Sequence, residues 1–341
     1  MIDVVAGDVH FIDHLAPVYL ALPGSVRGDF IVQTDQRTSP DTLIARAARR
    51  KVLAVTEATD PTRPVLVTSW GDHKQARMDG RSRIARMEHG IGQSFTGSDH
   101  QSYAGGRDAW DVSLFLVPNA HAADRWQRAY PGAQVEVVGC PKLDDLPGRV
   151  AGVKPVVAVS FHWSLGVPKM TDPLLETHGS FQEYKDAVMR LAKTYRLIGH
   201  GHPRAIEHFE RIFNRFRIPV VKDFADVCRQ ADVYVCDTNS TLYEFASTGR
   251  PVVVVNGKHF RRDLDHGLRF DWGTGTNVGV QCDSPEDLAG AVAEALLDPP
   301  ARQAAREAAL DLVYAYRSGA AERAAAVLTS WARQTRIRVA A

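Results

Sequence analysis

The sequence predicts an α/β protein built from two doubly wound parallel sheets, and three observations carry the prediction. Short, continuous apolar runs rich in Val and Ile recur with helical stretches or loops between them, as expected of strands buried on both faces of a parallel sheet. The series breaks once, at "PKLDDLPGRVAGVKP", a segment rich in Pro, Gly and charge, and then restarts, which marks a linker between two domains. With 341 residues the chain exceeds what one core usually supports, so two domains of roughly 150 residues each are expected.

Taken in order, the first domain (residues 1–147) offers the strands "IDVVAG", "FIVQT", "KVLAVTE", "PVLVTSW", "ARMEHG", "SLFLVPN" and "VEVVGC". The second (residues 148–317) restarts with "VVAVSFHW", "RLIGHGHP", "PVVKD", "DVYVCD", "PVVVVNG" and "VGVQCD". Helices fall between these strands at "SFQEYKDAVMRLAKTY", "AIEHFERIFNRF", "FADVCRQA", "STLYEFASTG" and "SPEDLAGAVAEALLD". From Pro300 an Ala-rich pattern reads as two consecutive helices interrupted at Ser318-Gly319. The last of them, within residues 318–341, is expected to pack back on the first domain.

Composition narrows the functional classes. Lys plus Arg number 41 against 40 Asp plus Glu, so no global field advertises nucleic acid or an anionic membrane as partner. Cys140, Cys228, Cys236 and Cys282 fall in no CxxC spacing and read as reduced core residues of a cytoplasmic protein, peripheral membrane association being left open. The N-terminus has neither a basic n-region nor a long apolar run, so neither a signal peptide nor a transmembrane segment is indicated.

In open parallel sheets ligands bind beyond the carboxyl ends of the strands, so the polar residues after each apolar run are the ones to weigh. His89 follows "IARM", and Gly90, Gly92 and Gly97 let the next backbone approach a ligand closely. An imidazole there can take a proton from an attacking hydroxyl, or it can be a turn histidine bonded to nearby backbone. "RLIGHGHPR" ends a strand in His200, Gly201, His202, Pro203 and Arg204, a set suited to a developing negative charge such as a departing phosphate. His-x-His is also a chelating spacing, but no third ligand of suitable spacing stands nearby, and no metal site is expected. In "ADVYVCDTNSTLYEFASTGRPVVVVN", Asn239, Ser240 and Thr241 open a helix and offer hydroxyls and N–H groups at its positive end, a seat for phosphate. Glu244 comes about one turn later, within reach of a nucleotide's sugar hydroxyls. The bland alternative makes Asn239 or Ser240 an ordinary cap and Glu244 a first-turn acid.

The order and wording of these segments resemble the CDP-glycerol glycerophosphotransferase family, the teichoic acid polymerases and primases. The family's Trp-His-Gly-Thr type turn is similar to "MEHGIGQ" at His89-Gly90, and its Gly-x-Pro-Arg-x-Asp type turn to "VGCPKLDD", with Gly139, Pro141, Lys142 and Asp144. "GHGHPR" resembles the His-Pro element and places the functional histidine at His202. The Asp-Tyr-Ser-Ser element followed by an acid matches Asp237, Thr238, Asn239, Ser240 and Glu244, and "RRDLDHGLRFDWGTGTNVGVQCDSPEDLAGAV" resembles the closing block. The chain departs from the pattern at "VSFHWS", where Ser160 and His162 replace a Pro-Thr-x-Arg turn, at Asn239-Ser240 in place of Ser-Ser, and at Glu88 in place of Trp.

The resemblance implies the GT-B fold, two Rossmann-like domains facing across a cleft. It implies a nucleotide-dependent transferase that moves a glycosyl or glycerol-phosphate group to an acceptor hydroxyl. His89 is then the general base, and His202 with Arg204 stabilises the leaving phosphate. Asn239, Ser240 and Thr241 hold the diphosphate and Glu244 the ribose, while Gly90, Gly92, Gln93 and His162 fall to the acceptor side. The expected partners are a nucleotide-sugar or CDP-glycerol donor and a hydroxyl acceptor, whether polymer, glycan or modified nucleic acid, with no cofactor or metal beyond the donor. The rival readings are a sugar-nucleotide 2-epimerase, which shares the fold, and a non-catalytic nucleotide-binding relative.

Overall fold

The computed structural model describes residues 1–33, 38–81, 83–91, 109–150, 152, 154–162, 180–237, 239–257 and 276–338. The chain divides into two compact units, the first from the described parts of residues 1–90, 109–145 and 314–338, the second from residue 91 and the described parts of residues 146–313.

The first unit holds a parallel sheet of β1 (Ile2–Ala6), β2 (Arg27–Val32), β3 (Ala54–Val55), β4 (Val65–Val67), β5 (Ile84–Met87), β6 (Val112–Val117) and β7 (Gln134–Val137). Their order across the sheet is β3-β2-β1-β4-β5-β6-β7. Strand alternation sends Val4 and Leu66 to one face and Val5, Val65 and Val67 to the other, and both faces are packed. Helices α1 (Val9–Ala21) and α2 (Pro40–Arg49) cover the first face, and α3 (Trp70–Met78) and α4 (Ala120–Ala129) the second, where Trp126 stacks on Phe115.

The second unit holds a parallel sheet of β8 (Val156–Phe161), β9 (Arg196–Gly201), β10 (Val233–Cys236), β11 (Val252–Val255) and β12 (Val280–Cys282), in the order β12-β11-β10-β8-β9. Its helices are α5 (Phe181–Leu191), α6 (Ile206–Arg215), α7 (Phe224–Gln230), α8 (Ser240–Ala246), α9 (Leu288–Leu297) and α10 (Pro300–Val313). Gly199 and Gly201 admit two rings of α6: a Cβ would stand 2.5 Å from Phe213 and 2.4 Å from Phe209. The run "PVVKD", expected as a strand, forms only an isolated bridge of Val220 to Gly199. Two backbone bonds, Gly199 N–H to Pro219 O and Val221 N–H to Gly199 O, are all the pairing it makes with that strand.

The chain then returns to the first unit. Gly319 takes φ +68°, ending one element, and α11 (Ala320–Arg338) buries Ala324, Ala325, Leu328 and Trp331 in the core under α1. The start of α11 is capped by a residue distant in sequence, since the Asp144 carboxylate accepts from the Ala320 and Ala321 N–H groups at 3.2 and 2.7 Å. All four cysteines are buried and unbridged. Among the described residues no helix is long and apolar enough to cross a membrane.

In each sheet the strand order reverses once. The chain runs outward from β1 to β3 and resumes at β4 on the other side of β1; it runs from β8 to β9 and resumes at β10 on the other side of β8. Such switch points open a crevice at the carboxyl ends of the flanking strands, and the candidate residues collect at both.

Candidate active site

At the first switch point His89 follows β5, and its Nδ1 lies 2.8 Å from the Thr68 carbonyl just beyond β4. A carbonyl only accepts, so Nδ1 carries the proton and donates it to Thr68, and Nε2 is the unprotonated nitrogen of the neutral ring. The Thr68 hydroxyl donates in turn to Met87 O at 2.7 Å, which ties the ends of β4 and β5 together and fixes the imidazole's support. Phe11 meets the His89 ring edge-on at 4.8 Å, and the rings of His10 and His14 lie 5.8 and 6.5 Å away. Gly90 takes φ +79°, a left-handed backbone that side chains resist, and so turns the chain away directly after the imidazole. Glu88 points elsewhere: its buried carboxylate accepts from the Trp126 indole at 2.7 Å. Gly92, Gln93 and Gly97 lie outside the described residues, as does most of the closing block before Thr276.

At the second switch point β8, β9 and β10 deliver His162, His202 and Asp237 side by side. The His162 and His202 rings stand 6.4 Å apart. Asp237 is fully buried; its carboxylate accepts from the His162 N–H at 2.9 and 3.0 Å, the Ser180 N–H at 3.3 Å and the Asn239 amide at 3.2 Å. Burial outweighs these bonds and lifts its pKa to about 7. Because the folded value lies above the ordinary carboxyl value of 3.8, the folded state holds the proton more tightly. The associated stability is present in full below about pH 4 and is lost as pH rises through about 7. Asp237→Asn should flatten that decline, measured as denaturation midpoints from pH 4 to pH 8; an unchanged slope would show that Asp237 is ionised across the range.

Asn239 occupies the cap position of α8 but makes no side-chain capping bond, because its amide turns to Asp237. Ser240 opens the helix. The Thr241 hydroxyl accepts from the buried Tyr234 hydroxyl at 2.9 Å and so faces the sheet. Glu244 is buried, at 1% exposure. His202 O accepts from Ala205 N–H in the short turn Pro203–Ala205, which carries Arg204, whose side chain lies outside the described residues. His200 is parted from His202 in role: its Nδ1 donates to Val221 O at 2.7 Å and its ring packs near Phe224, so it holds the sheet edge together.

The sequence reading passed over Asp8, His10 and His14 altogether. The signal was present, since "AGDVHFIDH" sets Asp8 at the end of the first strand and two histidines four apart on one helix face.

No protein-family model matches the sequence, and no curated protein matches it either. Solved structures do. UDP-GlcNAc 2-epimerase from Neisseria meningitidis bound to UDP-GlcNAc is similar with a TM-score of 0.65 at 12% identity, over 97% of this chain and 99% of that one. A putative UDP-N-acetylglucosamine 2-epimerase from Listeria monocytogenes is similar with a TM-score of 0.61 at 13% identity, over 96% and 94%. The wall teichoic acid polymerase TagF is similar with a TM-score of 0.59 at 10% identity, over 98% and 89%. The fold is therefore the α/β fold of the GT-B type that these structures share. The polymerase among these neighbours is the kind of protein that the sequence motifs resemble.

Proposed function

We propose that the chain is a nucleotide-dependent transferase that moves a glycosyl or glycerol-phosphate group from an activated nucleotide donor to an acceptor hydroxyl. The observation that carries this reading is the imidazole of His89, held by Thr68 O in the tautomer that leaves Nε2 able to take a proton. In this reading the first unit supplies the base and the second the donor seat. Ser240 and the N–H groups that open α8 at Ser240 and Thr241 hold the diphosphate, the Asn239 amide and the Thr241 hydroxyl being turned to Asp237 and Tyr234; Glu244 holds the ribose, and His202 with Arg204 the charge that develops on the leaving phosphate. The lack of a capping bond from Asn239 supports the seat, because the N–H groups opening α8 are not taken by that side chain.

Ser240→Ala should weaken binding of the matching nucleoside diphosphate by about 1–2 kcal/mol, the usual worth of a charge-assisted hydrogen bond, in calorimetric titrations with CDP, UDP and GDP. Failure of every nucleotide to bind would overturn the donor seat. Transfer is also proposed to be metal-independent, with turnover surviving excess chelator; a strict requirement for Mg²⁺ or Mn²⁺ would show that the phosphates are neutralised otherwise.

A 2-epimerase-like activity is the second reading, favoured by the two epimerases among the similar structures. Incubation with a panel of nucleotide donors separates the two: a transferase releases nucleotide in proportion to added acceptor, whereas an epimerase rearranges the sugar and releases none at its steady state.

A further inference from the structure

We infer that Asp237 is a positioning residue for the donor: from beneath the second switch point it sets His162, whose imidazole takes the donor's phosphate together with His202. This role rests on the reading of the crevice as the donor's, and it places His162 on the donor side instead of the acceptor side expected from the sequence.

Strand register explains how the three residues meet. Ser160 on β8 pairs with Cys236 on β10, and Phe161 pairs with Gly201 on β9. One step further along, His162 and His202 leave neighbouring strands at the same level, and Asp237 leaves β10 beside them. Parallel neighbours in register send their side chains to the same face, and the two rings stand 6.4 Å apart. Both belong to the second unit. At that separation each imidazole can donate to a different oxygen of one phosphate.

What fixes His162 is the Asp237 carboxylate. The His162 N–H donates to both of its oxygens, at 2.9 and 3.0 Å. The Ser180 N–H, just ahead of α5, donates to Oδ2 at 3.3 Å, and the Asn239 amide donates to Oδ1 at 3.2 Å. One side chain thus joins the ends of β8 and β10 to the start of α5. Gly257, just past β11, packs against the same corner, where a Cβ would stand 2.4 Å from Ser180 Oγ. Asp237 is wholly inaccessible, and among the described residues no cation pairs with it. A buried carboxylate held by N–H donors alone is a costly way to secure a turn. Its use is directional. Two oxygens accepting from three sides fix the backbone at His162, and with it the direction of the ring, more tightly than a single acceptor can. Asp237→Asn keeps the volume but turns one accepting oxygen into a donor that faces other donors.

The test uses the full chain at about pH 8, above the Asp237 value of about 7, with inorganic pyrophosphate as the probe. Imidazole Cε1–H resonances, assigned through His162→Gln and His202→Gln, are followed by NMR. Pyrophosphate should move the His162 and His202 signals together, and chloride at matched ionic strength should move neither. Asp237→Asn should weaken pyrophosphate binding about tenfold. His162→Gln should weaken the response left at His202 by a similar factor, and adding Asp237→Asn should then cost less than about twofold, because no ring remains to be aimed. In His89→Gln, by contrast, Asp237→Asn should keep its full effect. Where Asp237→Asn impairs folding, the partly exposed Asn239→Ala, which removes one of the four bonds, serves in its place; its smaller loss should likewise vanish in His162→Gln. Equal losses in the parent and in His162→Gln overturn the positioning role, since a merely structural residue costs the same in both. A His162 signal that stays still overturns its role toward the phosphate, whether or not His202 moves. Pyrophosphate binding that CDP, UDP and GDP do not share supports the roles of His162 and Asp237 and sinks the nucleotide reading instead.

Discussion

His89→Ala should keep the fold and the nucleotide affinity while lowering turnover by about 10² to 10⁴, the range typical for removal of a general base. The expected separation follows from where the residues belong. His89 lies in the first unit and the proposed nucleotide seat in the second, so loss of the imidazole removes a proton acceptor and leaves the donor's ligands in place. His202→Ala should differ, losing donor affinity together with rate, because a group beside the phosphates contributes to both the bound and the transition state. Nucleotide affinity by calorimetry and turnover by nucleotide release, measured on both variants, separate the two roles. Wild-type turnover in His89→Ala would reduce the histidine to a turn residue that supports the ends of β4 and β5 through Thr68.

Asp3→Ala should be the most destabilising of these single changes, costing about 3–5 kcal/mol, the usual penalty for stripping the partner from a buried charge. Asp3 is wholly buried on β1; it accepts from Arg81 at 2.8 Å and from the Asp29 N–H at 2.9 Å, with Arg63 at 3.5 Å. Arg81 is itself nearly inaccessible and would be left with two backbone carbonyls, Asp60 O and Arg63 O, and no carboxylate in contact among the described residues. Thermal unfolding should shift down by roughly 10 °C. Adding Arg81→Met should recover much of the loss, since a buried pair replaced as a whole costs far less than a broken one. Because Asp3 lies toward the amino end of β1, away from the switch-point crevice, the folded variant should bind nucleotide as the parent does. A double variant no better than the single one would place the cost in lost packing instead.

Much of the architecture was legible because a strand buried on both faces has no choice of residues: "VVAVSF" or "VVVV" leaves little but a central strand. The break at Gly319 was equally plain, being a glycine with a left-handed backbone between two alanine-rich runs. "PVVKD" misled for the same reason that the others succeeded, since its apolar pair is bridged at one residue only and never becomes a strand. Candidate residues were legible where they follow a strand, as His89, His202 and Asn239 do. What side chains do there was less legible. That Asn239 serves Asp237 and leaves the helix uncapped, or that His200 bonds Val221, depends on which neighbouring strands the fold brings alongside. His10 and His14 are the extreme case, because their rings come beside His89 only when α1 is laid against the end of β5.

The packing of α11 under α1 has a consequence for how the polypeptide is made. The core of the first unit includes Ala324, Ala325, Leu328 and Trp331, and the helix that carries them is clasped at its start by Asp144. The second unit has all its strands and helices by Val313. Synthesis therefore reverses the usual sequence in which earlier domains fold first. Every element of the second unit emerges ahead of α11, whereas the unit begun first keeps an apolar face of α1 open until α11 has emerged, the interval in which a chaperone would find it.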